Sequence, residues 1–241
     1  MIRFVRGGSD AGSGTRLTWA GVLLVAALAW AAGTVNAVGY LLLGGIFTSH
    51  MTGNTSGALL VLITGRGRGA IGPLSALGGF FIGGIAGALL IETHPEHSST
   101  RALWLEALIL GAMAALTSHD TAAAASVRWL ELAGIAGAMG LQNIALAGSA
   151  LSAHTTHITG PLTDFAGTLV RRLIGRPSLA RDISHGLAVY GGRVLAFAAG
   201  VASGALLFAW AGPKALLVPC AAVAAIGTAL WYAGRPRLTR Y

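Results

Sequence analysis

Two polar motifs of equal spacing interrupt long apolar runs in this sequence. The first covers residues 48–54 (TSHMTGN) and the second covers residues 155–161 (TTHITGP). An offset of 107 residues carries Thr, His, Thr and Gly of the first motif onto the same residue types of the second. The same offset carries Asn36 onto Asn143. Coincidences of this kind at one offset indicate a duplicated unit.

These residue types are suited to starting a helix and to binding at its N-terminus. Thr52 and Thr159 are candidate N-caps. A helix N-terminus offers free backbone N–H groups and partial positive charge, which favour an anion or a carbonyl dipole. His50 and His157 can bind, gate or carry a proton, because histidine titrates near neutral pH. The alternative is that each histidine only satisfies a nearby carbonyl and fixes the break in the chain.

The predicted substrate site comprises both motifs and the two asparagines: His50, Thr52, Gly53, Asn54, His157, Thr159, Gly160, Asn36 and Asn143. For Asn36 and Asn143, hydrogen bonding between helices is the favoured use.

The composition indicates a membrane protein. Hydrophobic residues make up 54% of the 241 residues and charged residues only 10%, whereas soluble domains carry about 25% charged residues. The formal net charge is +8, but the basic residues stand in short clusters between apolar spans. This pattern is typical of residues that orient a chain in a membrane, and it excludes nucleic acid as a partner.

The apolar runs predict an all-α integral membrane protein with about six to eight transmembrane segments in two parallel internal repeats, each with a short or broken helix. The predicted layout is a mobile cytoplasmic N-terminus (1–16), a first transmembrane repeat (17–118), a second (128–233) and a basic cytoplasmic tail (234–241). Because residues 66–68, residues 171–181 and both termini are rich in Arg, all four are expected on the cytoplasmic face of the plasma (bacterial inner) membrane.

The helices that follow the two motifs are predicted to be too short to cross a bilayer. Only 14 residues separate Thr52 from Arg66, about 21 Å of helix, and 12 separate Thr159 from Arg171, about 18 Å. The hydrocarbon core is about 30 Å thick. The motifs should therefore lie part-way across the membrane, inside protein or beside water.

Three other charged or ligating positions stand in apolar surroundings. Asp164 and Arg193 are expected about 10–12 Å deep, as a structural ion pair or a coupling pair. Glu106 is expected near the outer end of its span, lining an entrance or reaching towards the headgroups. His154 and His157 form His-x-x-His without a carboxylate or cysteine at a useful spacing, so neither a metal nor another cofactor is predicted.

The motifs resemble those of a known family. In the first half, the pattern consists of Gly33-x-x-Asn36-Ala37 and the first motif. In the second half, it consists of Gly140-Leu141-Gln142-Asn143 and residues 157–164 (HITGPLTD). It is similar to the YoaK-like family of uncharacterised bacterial multi-pass membrane proteins, over residues 17–233. The resemblance implies the architecture and supplies no activity. Asn36 stands where the family is expected to have Asp. If an acidic group at that position carries protons or cations in the family, this protein lacks that step.

The leading functional hypothesis is a small-molecule permease or efflux carrier that binds its substrate mid-membrane, at the starts of the two broken helices. One alternative is a membrane-embedded enzyme acting on lipid with a motif histidine as general base, which is less favoured because no nucleophile or metal is evident. Another is a scaffold without transport activity. The expected partners are the bilayer and an unknown small molecule, with an anion as one candidate, and a homo-oligomer is left open.

Overall fold

The computed structural model is a bundle of α-helices. It describes residues 18–117, 125–147, 155–174 and 180–233. The predicted N-terminus (1–16), the tail (234–241) and His154 lie outside the described residues. The helices are α1 (Trp19–Leu42), α2 (Met51–Ile63), α3 (Ile71–Thr93), α4 (Ser98–Leu116), α5 (Ala125–Ala147), α6 (Thr159–Leu173), α7 (Ala180–Ala211) and α8 (Leu217–Ala233).

The described residues contain helices and no strands, so the all-α prediction is confirmed. Four stretches are long and apolar enough to cross a membrane: Trp19–Leu42, Gly67–Thr93, Pro95–Leu116 and Ser184–Ala233. The last of them holds both α7 and α8. The chain is therefore an all-α membrane protein.

Helices α1 and α7 pack closely and run in the same direction. A Cβ at Gly33 would overlap the carbonyl oxygen of Phe197, and a Cβ at Gly204 would lie 2.7 Å from the carbonyl oxygen of Thr34. The Thr34 hydroxyl also donates to the carbonyl of Gly200 at 3.2 Å. Later residues of α1 meet later residues of α7, which makes the pair parallel. Small residues at the seam allow this approach of two backbones.

Helices α3 and α5 form a second parallel pair of the same kind. A Cβ at Gly79 would overlap the carbonyl of Ala133, and a Cβ at Gly83 would overlap the carbonyl of Gly137. One turn further along, a Cβ at Gly87 would lie 3.1 Å from the carbonyl oxygen of Leu141. The contacts again advance together along both helices.

The two pairs run in opposite directions. The Gln142 side-chain nitrogen, late in α5, donates to the carbonyl of Leu28, early in α1, at 3.3 Å. Leu28 also shares a core cluster with Leu146. Val38, late in α1, shares another cluster with Leu132, early in α5. Helix α5 is therefore antiparallel to α1, and the bundle has a Trp19 end, where α1 begins, and a Leu42 end, where α1 finishes.

The short helix α2 does not cross the bundle. Its 13 residues rise about 20 Å, less than the hydrocarbon thickness of about 30 Å. Val61, near the end of α2, packs against Gly69, where an added Cβ would lie 3.0 Å from the Val61 side chain. Helix α3 then begins beside Ile46, which a Cβ at Gly72 would overlap. Because Ile46 lies four residues after the end of α1, and Trp129 near the start of α5 also faces Gly72, the chain leaves and returns at the Leu42 end.

The short helix α6 likewise does not cross the bundle, and it turns back at the Trp19 end. It runs antiparallel to α7, since Phe165 packs on Gly191 while Thr168, further along α6, packs on Gly186. The Arg172 guanidinium then donates to the Ser184 hydroxyl at 3.3 Å. Helix α7 begins beside Trp19, whose ring centroid lies 5.5 Å from that of His185.

This geometry corrects two expectations. Three helices of the first half cross the bundle, α1, α3 and α4, and this odd number reverses the direction of the second half. The halves are therefore antiparallel and not parallel. The basic loop at 66–68 lies at the Leu42 end and residues 171–174 lie at the Trp19 end, so the two do not share a face. The physical reason is that both short helices turn back.

Cysteine labelling tests this arrangement. In a Cys220→Ala background, we expect Gly67→Cys and Ile174→Cys to react with a membrane-impermeant maleimide from opposite sides of the membrane. Both positions are exposed. Lys214→Cys is the control, because it should react from the same side as Gly67→Cys. Labelling of residues 67 and 174 from one side would contradict the antiparallel arrangement.

Adjacent glycines on α3 provide a matched stability test. Gly79→Ala should destabilise the protein by about 1–3 kcal/mol, because the new methyl group would overlap the α5 backbone. Gly78→Ala meets nothing within 4 Å and should be neutral or stabilising by up to about 1 kcal/mol, through helix propensity. Thermal unfolding in detergent measures both. Equal effects would show that the α3–α5 seam is not tightly packed.

Candidate functional site

The turn that precedes α2 is held by a single buried amide. The Asn36 Oδ1 accepts hydrogen bonds from the Ser49 backbone N–H at 3.2 Å, the Ser49 hydroxyl at 3.1 Å and the Thr48 hydroxyl at 3.3 Å. All three residues are buried. Asn36 lies six residues before the end of α1, so the chain returns about 9 Å along the helix before α2 begins.

The turn that precedes α6 is held in the same way. The Asn143 side-chain nitrogen donates to the Thr156 hydroxyl, and its Oδ1 accepts from the Thr156 backbone N–H at 3.4 Å. Asn143 and Thr156 are both buried. Each asparagine oxygen thus accepts from the backbone N–H thirteen positions later, and the offset of 107 residues relates these two backbone bonds.

This geometry refines the expected use of the asparagines. Their bonds run from a long helix to the turn that precedes a short helix, and so they fix where each short helix begins. Asn54 completes the first turn, because its side-chain nitrogen donates to the Phe47 carbonyl at 2.8 Å. The sequence placed Asn54 among substrate-binding residues, whereas its buried side chain holds the backbone.

The helix starts differ by one or two residues from the prediction. Thr52 and Thr159 were expected as N-caps, but both lie inside the first turn, and the N-cap positions are His50 and Ile158. Neither N-cap side chain accepts a hydrogen bond from its helix. Backbone N–H groups in the first turn of each short helix are therefore left without a side-chain cap.

The two histidines and their neighbours are accessible from outside the bundle. His50 and His157 are both exposed, as are Thr52, Thr159 and Gly160. The His50 ring meets the Phe47 ring edge-on at 5.8 Å between centroids. It also lies over Gly53, where a Cβ would be 2.7 Å from the His50 Nδ1.

The two motifs are carried by helices that pack on different partners. Helix α2 packs on α3, and α6 packs on α7. Each motif is tied to its own long helix, α1 or α5, by its asparagine. The candidate site therefore consists of two similar half-sites, each with an exposed histidine beside an uncapped helix start.

Asp164 and Arg193 lie on two helices that pack against each other, α6 and α7. Asp164 is exposed on α6, Arg193 is half-buried on α7, and the two charges interact electrostatically. They stand on the pair of helices that forms the second half-site.

One buried polar group lies elsewhere than the sequence suggested, and a second is buried beside another helix. Glu106 was expected at an entrance or reaching towards the headgroups, but it is fully buried in the core. Gln142 is fully buried as well, and its side-chain oxygen has no hydrogen-bond partner in the described structure. Helix α4 is apolar on nearly every face, so its sequence gave no pattern that separates the core face from the lipid face.

No group of three His, Cys, Asp or Glu side chains within the described ranges could hold a metal ion. His154, the other half of the His-x-x-His pattern, falls in the segment 148–154 that is not described.

Comparison with known proteins gives a family and no activity. Residues 24–229 match the model of a family described as "Protein of unknown function (DUF1275)". The chain is similar to the UPF0700 transmembrane protein YoaK of Bacillus subtilis (strain 168), with 38% identity over 102 residues. That alignment covers 40% of this chain and 44% of YoaK, so the match spans less than half of either protein. No solved structure matches.

Substitution of Asn36 tests whether its oxygen fixes the first turn. Asn36→Leu removes the acceptor of three hydrogen bonds and should destabilise the protein by about 1–3 kcal/mol, because the buried Ser49 N–H loses its partner. Asn36→Asp keeps an acceptor and should lose less. Thermal unfolding of the two variants measures the difference, with Thr55→Val on exposed α2 surface as control. Equal losses for Leu and Asp would exclude the acceptor role.

Proposed function

The chain belongs to this family of unknown function, and we propose that it is a small-molecule carrier of the bacterial inner membrane whose substrate binds at the starts of α2 and α6. One observation carries the proposal: two half-length helices enter from opposite ends of the bundle, and both present exposed polar residues at uncapped starts. Discontinuous helices whose N-termini lie within the membrane are typical of secondary transporters.

An inverted internal repeat supports the carrier. The offset of 107 residues relates α1 to α5, and an offset of 117 relates α3 to α7. The first offset maps Gly33 onto Gly140, and the second maps Phe197 onto Phe80. The contact of Gly33 with Phe197 in one seam therefore corresponds to the contact of Gly140 with Phe80 in the other. The same two offsets relate the other close glycine contacts of the α1–α7 seam to those of the α3–α5 seam. We infer that the chain holds two copies of one unit, related by an axis in the membrane plane.

The depth of the helix starts supports a site inside the membrane. Phe165 packs on Gly191, and Thr159 lies six residues, or about 9 Å, before Phe165 on the antiparallel α6. Thr159 therefore lies deeper in the bundle than Gly191, and the preceding Thr156 is held by Asn143, next to the residue that bonds Leu28 of α1. Exposed hydroxyl and imidazole groups at that depth are unfavourable beside lipid, so they should face water or a solute.

The chemistry of the half-sites favours a solute with an anionic group or a carbonyl dipole. Uncapped N–H groups and the partial positive charge of a helix start attract both. His50 and His157 supply a hydrogen-bond donor beside each start. We also propose that Asp164 and Arg193 couple the second half-site to a charge on the solute or on a co-transported ion.

The distribution of arginine favours a cytoplasmic Trp19 end. The segments covalently attached at that end, before Trp19, between Ile174 and α7, and after Ala233, are rich in arginine. The Leu42 end carries Arg66, Arg68, Arg128 and Lys214. By the positive-inside rule, both termini of the chain would be cytoplasmic.

Transport measurements test the carrier. Purified protein is first screened for thermal stabilisation by chloride, phosphate, acetate and larger carboxylates, since a ligand at 100 times its Kd stabilises by about 2.7 kcal/mol. Flux of the stabilising anion is then measured in proteoliposomes. His50→Ala and His157→Ala should each lower flux about ten- to a hundredfold, because a hydrogen bond to a charged group contributes about 1.5–3 kcal/mol.

His94→Ala, in the exposed loop between α3 and α4, is the matched control and should transport normally. Turnover of lipid in detergent that is lost in the same two variants would favour the enzyme instead. Unchanged flux in both histidine variants would contradict the proposed site.

A further inference from the structure

We propose that Glu106 is a proton-binding site in the core of the bundle, and that it is a neutral carboxylic acid in the conformation described here. It lies on α4, eight residues and about 12 Å from Ser98, where the helix begins. It is 0% exposed, and neither of its carboxylate oxygens has a hydrogen-bond partner in the described structure.

The surroundings of Glu106 leave no stabilisation for a negative charge. Its neighbours along α4, Leu103 and Ala107, pack in one apolar cluster with Leu28 of α1, Leu146 of α5 and Val223 of α8. An ionised carboxylate in such a place costs several kcal/mol unless it is paired and hydrogen-bonded. A protonated carboxyl avoids most of that cost.

The ionisable and polar groups that face Glu106 fit this assignment. From α8, the Cys220 thiol lies close enough to interact with the carboxyl, but it donates its hydrogen bond to the Ala107 carbonyl at 3.1 Å. On α5, the fully buried polar side chain is that of Gln142. The side chains of α1 in the shared cluster are apolar. The charged residues Arg101 and Glu131 stand towards the ends of α4 and α5.

A proton fits the available oxygens better than a metal cation. Hard cations in proteins are held by about six oxygen ligands. Besides the two oxygens of Glu106, the only buried side-chain oxygen without a partner on the helices of this cluster is that of Gln142, within the described residues. The Gln142 nitrogen is fixed by the Leu28 carbonyl, so its oxygen is an unfilled acceptor. A protonated carboxyl, by contrast, brings its own donor.

Proton binding at this position would couple a carrier to the proton gradient. The neutral form is compatible with the closed core, and the ionised form requires water or a partner, so loss of the proton favours any conformation that opens the core to water. This use rests on the proposed transport function, whereas the proton site itself does not.

Infrared spectroscopy of the full-length protein in detergent tests the site without any substrate. At neutral pH, the wild type should show a carboxylic-acid C=O band that shifts when glutamate is labelled with ¹³C. Glu106→Gln should lose that band, and Glu131→Gln, the matched control on α5, should keep it. A band unchanged in Glu106→Gln would overturn the proposal.

Two further measurements keep the test decisive. If Glu106→Gln fails to fold, ¹³C-labelled Glu131→Gln decides: a protonated glutamate band that persists in it at neutral pH supports the site, and absence of that band refutes it. A band that appears only after sodium is removed would identify a cation site and also refute it. Anion flux measured with the histidine variants is independent of both outcomes, so failure of the carrier proposal would be recognised separately.

Discussion

Backbone groups within a hydrocarbon layer must find their partners inside the protein, and this requirement governs the whole bundle. It is easily met within long helices and is difficult wherever the chain turns at depth. The two turns at Ser49 and Thr156 meet it by the same means, an asparagine on the preceding long helix. The short helices can begin where they do because those asparagines satisfy the turn, which leaves the first N–H groups of each helix for another partner.

The close seams supply the rigid frame around these turns. Glycine at the crossing points brings α1 against α7 and α3 against α5 until backbone meets backbone. In lipid there is little hydrophobic drive for helices to associate, so van der Waals contact between small residues is a main source of stability. Helices α2 and α6 are largely exposed, since α2 buries Asn54 and Ala58 and α6 buries Pro161 and Thr168. A firm frame therefore holds two less firmly packed elements that carry the histidines.

Much of this arrangement was predictable from sequence. The apolar runs predicted the helices, and the short distance from Thr52 to Arg66 predicted that α2 is too short to cross the bilayer. The equal spacing of the motifs predicted that Asn36 and Asn143 would play equal parts. The direction of the second half was not predictable from the basic loops, because a short helix followed by arginine looks the same whether it crosses or turns back. Residues 66–68 and 171–174 were therefore assigned to one face of the membrane, although they lie at opposite ends of the bundle.

The position of Glu106 shows a second limit. A helix that is apolar on all faces can present any of them to the core, so a single carboxylate does not reveal whether it faces lipid, water or protein. The packing of Leu103 and Ala107 decides the matter, and that packing involves three helices distant in sequence. Long-range contacts of this kind leave no trace in the local pattern.

The way the helices are paired determines which bodies can move. Each seam joins a helix of the first half to a helix of the second, α1 to α7 and α5 to α3. A rocking motion of one half against the other would have to separate both seams at once. The units that could shift as rigid pieces are therefore the mixed pairs themselves, which meet where Gln142 of α5 donates to the carbonyl of Leu28 on α1.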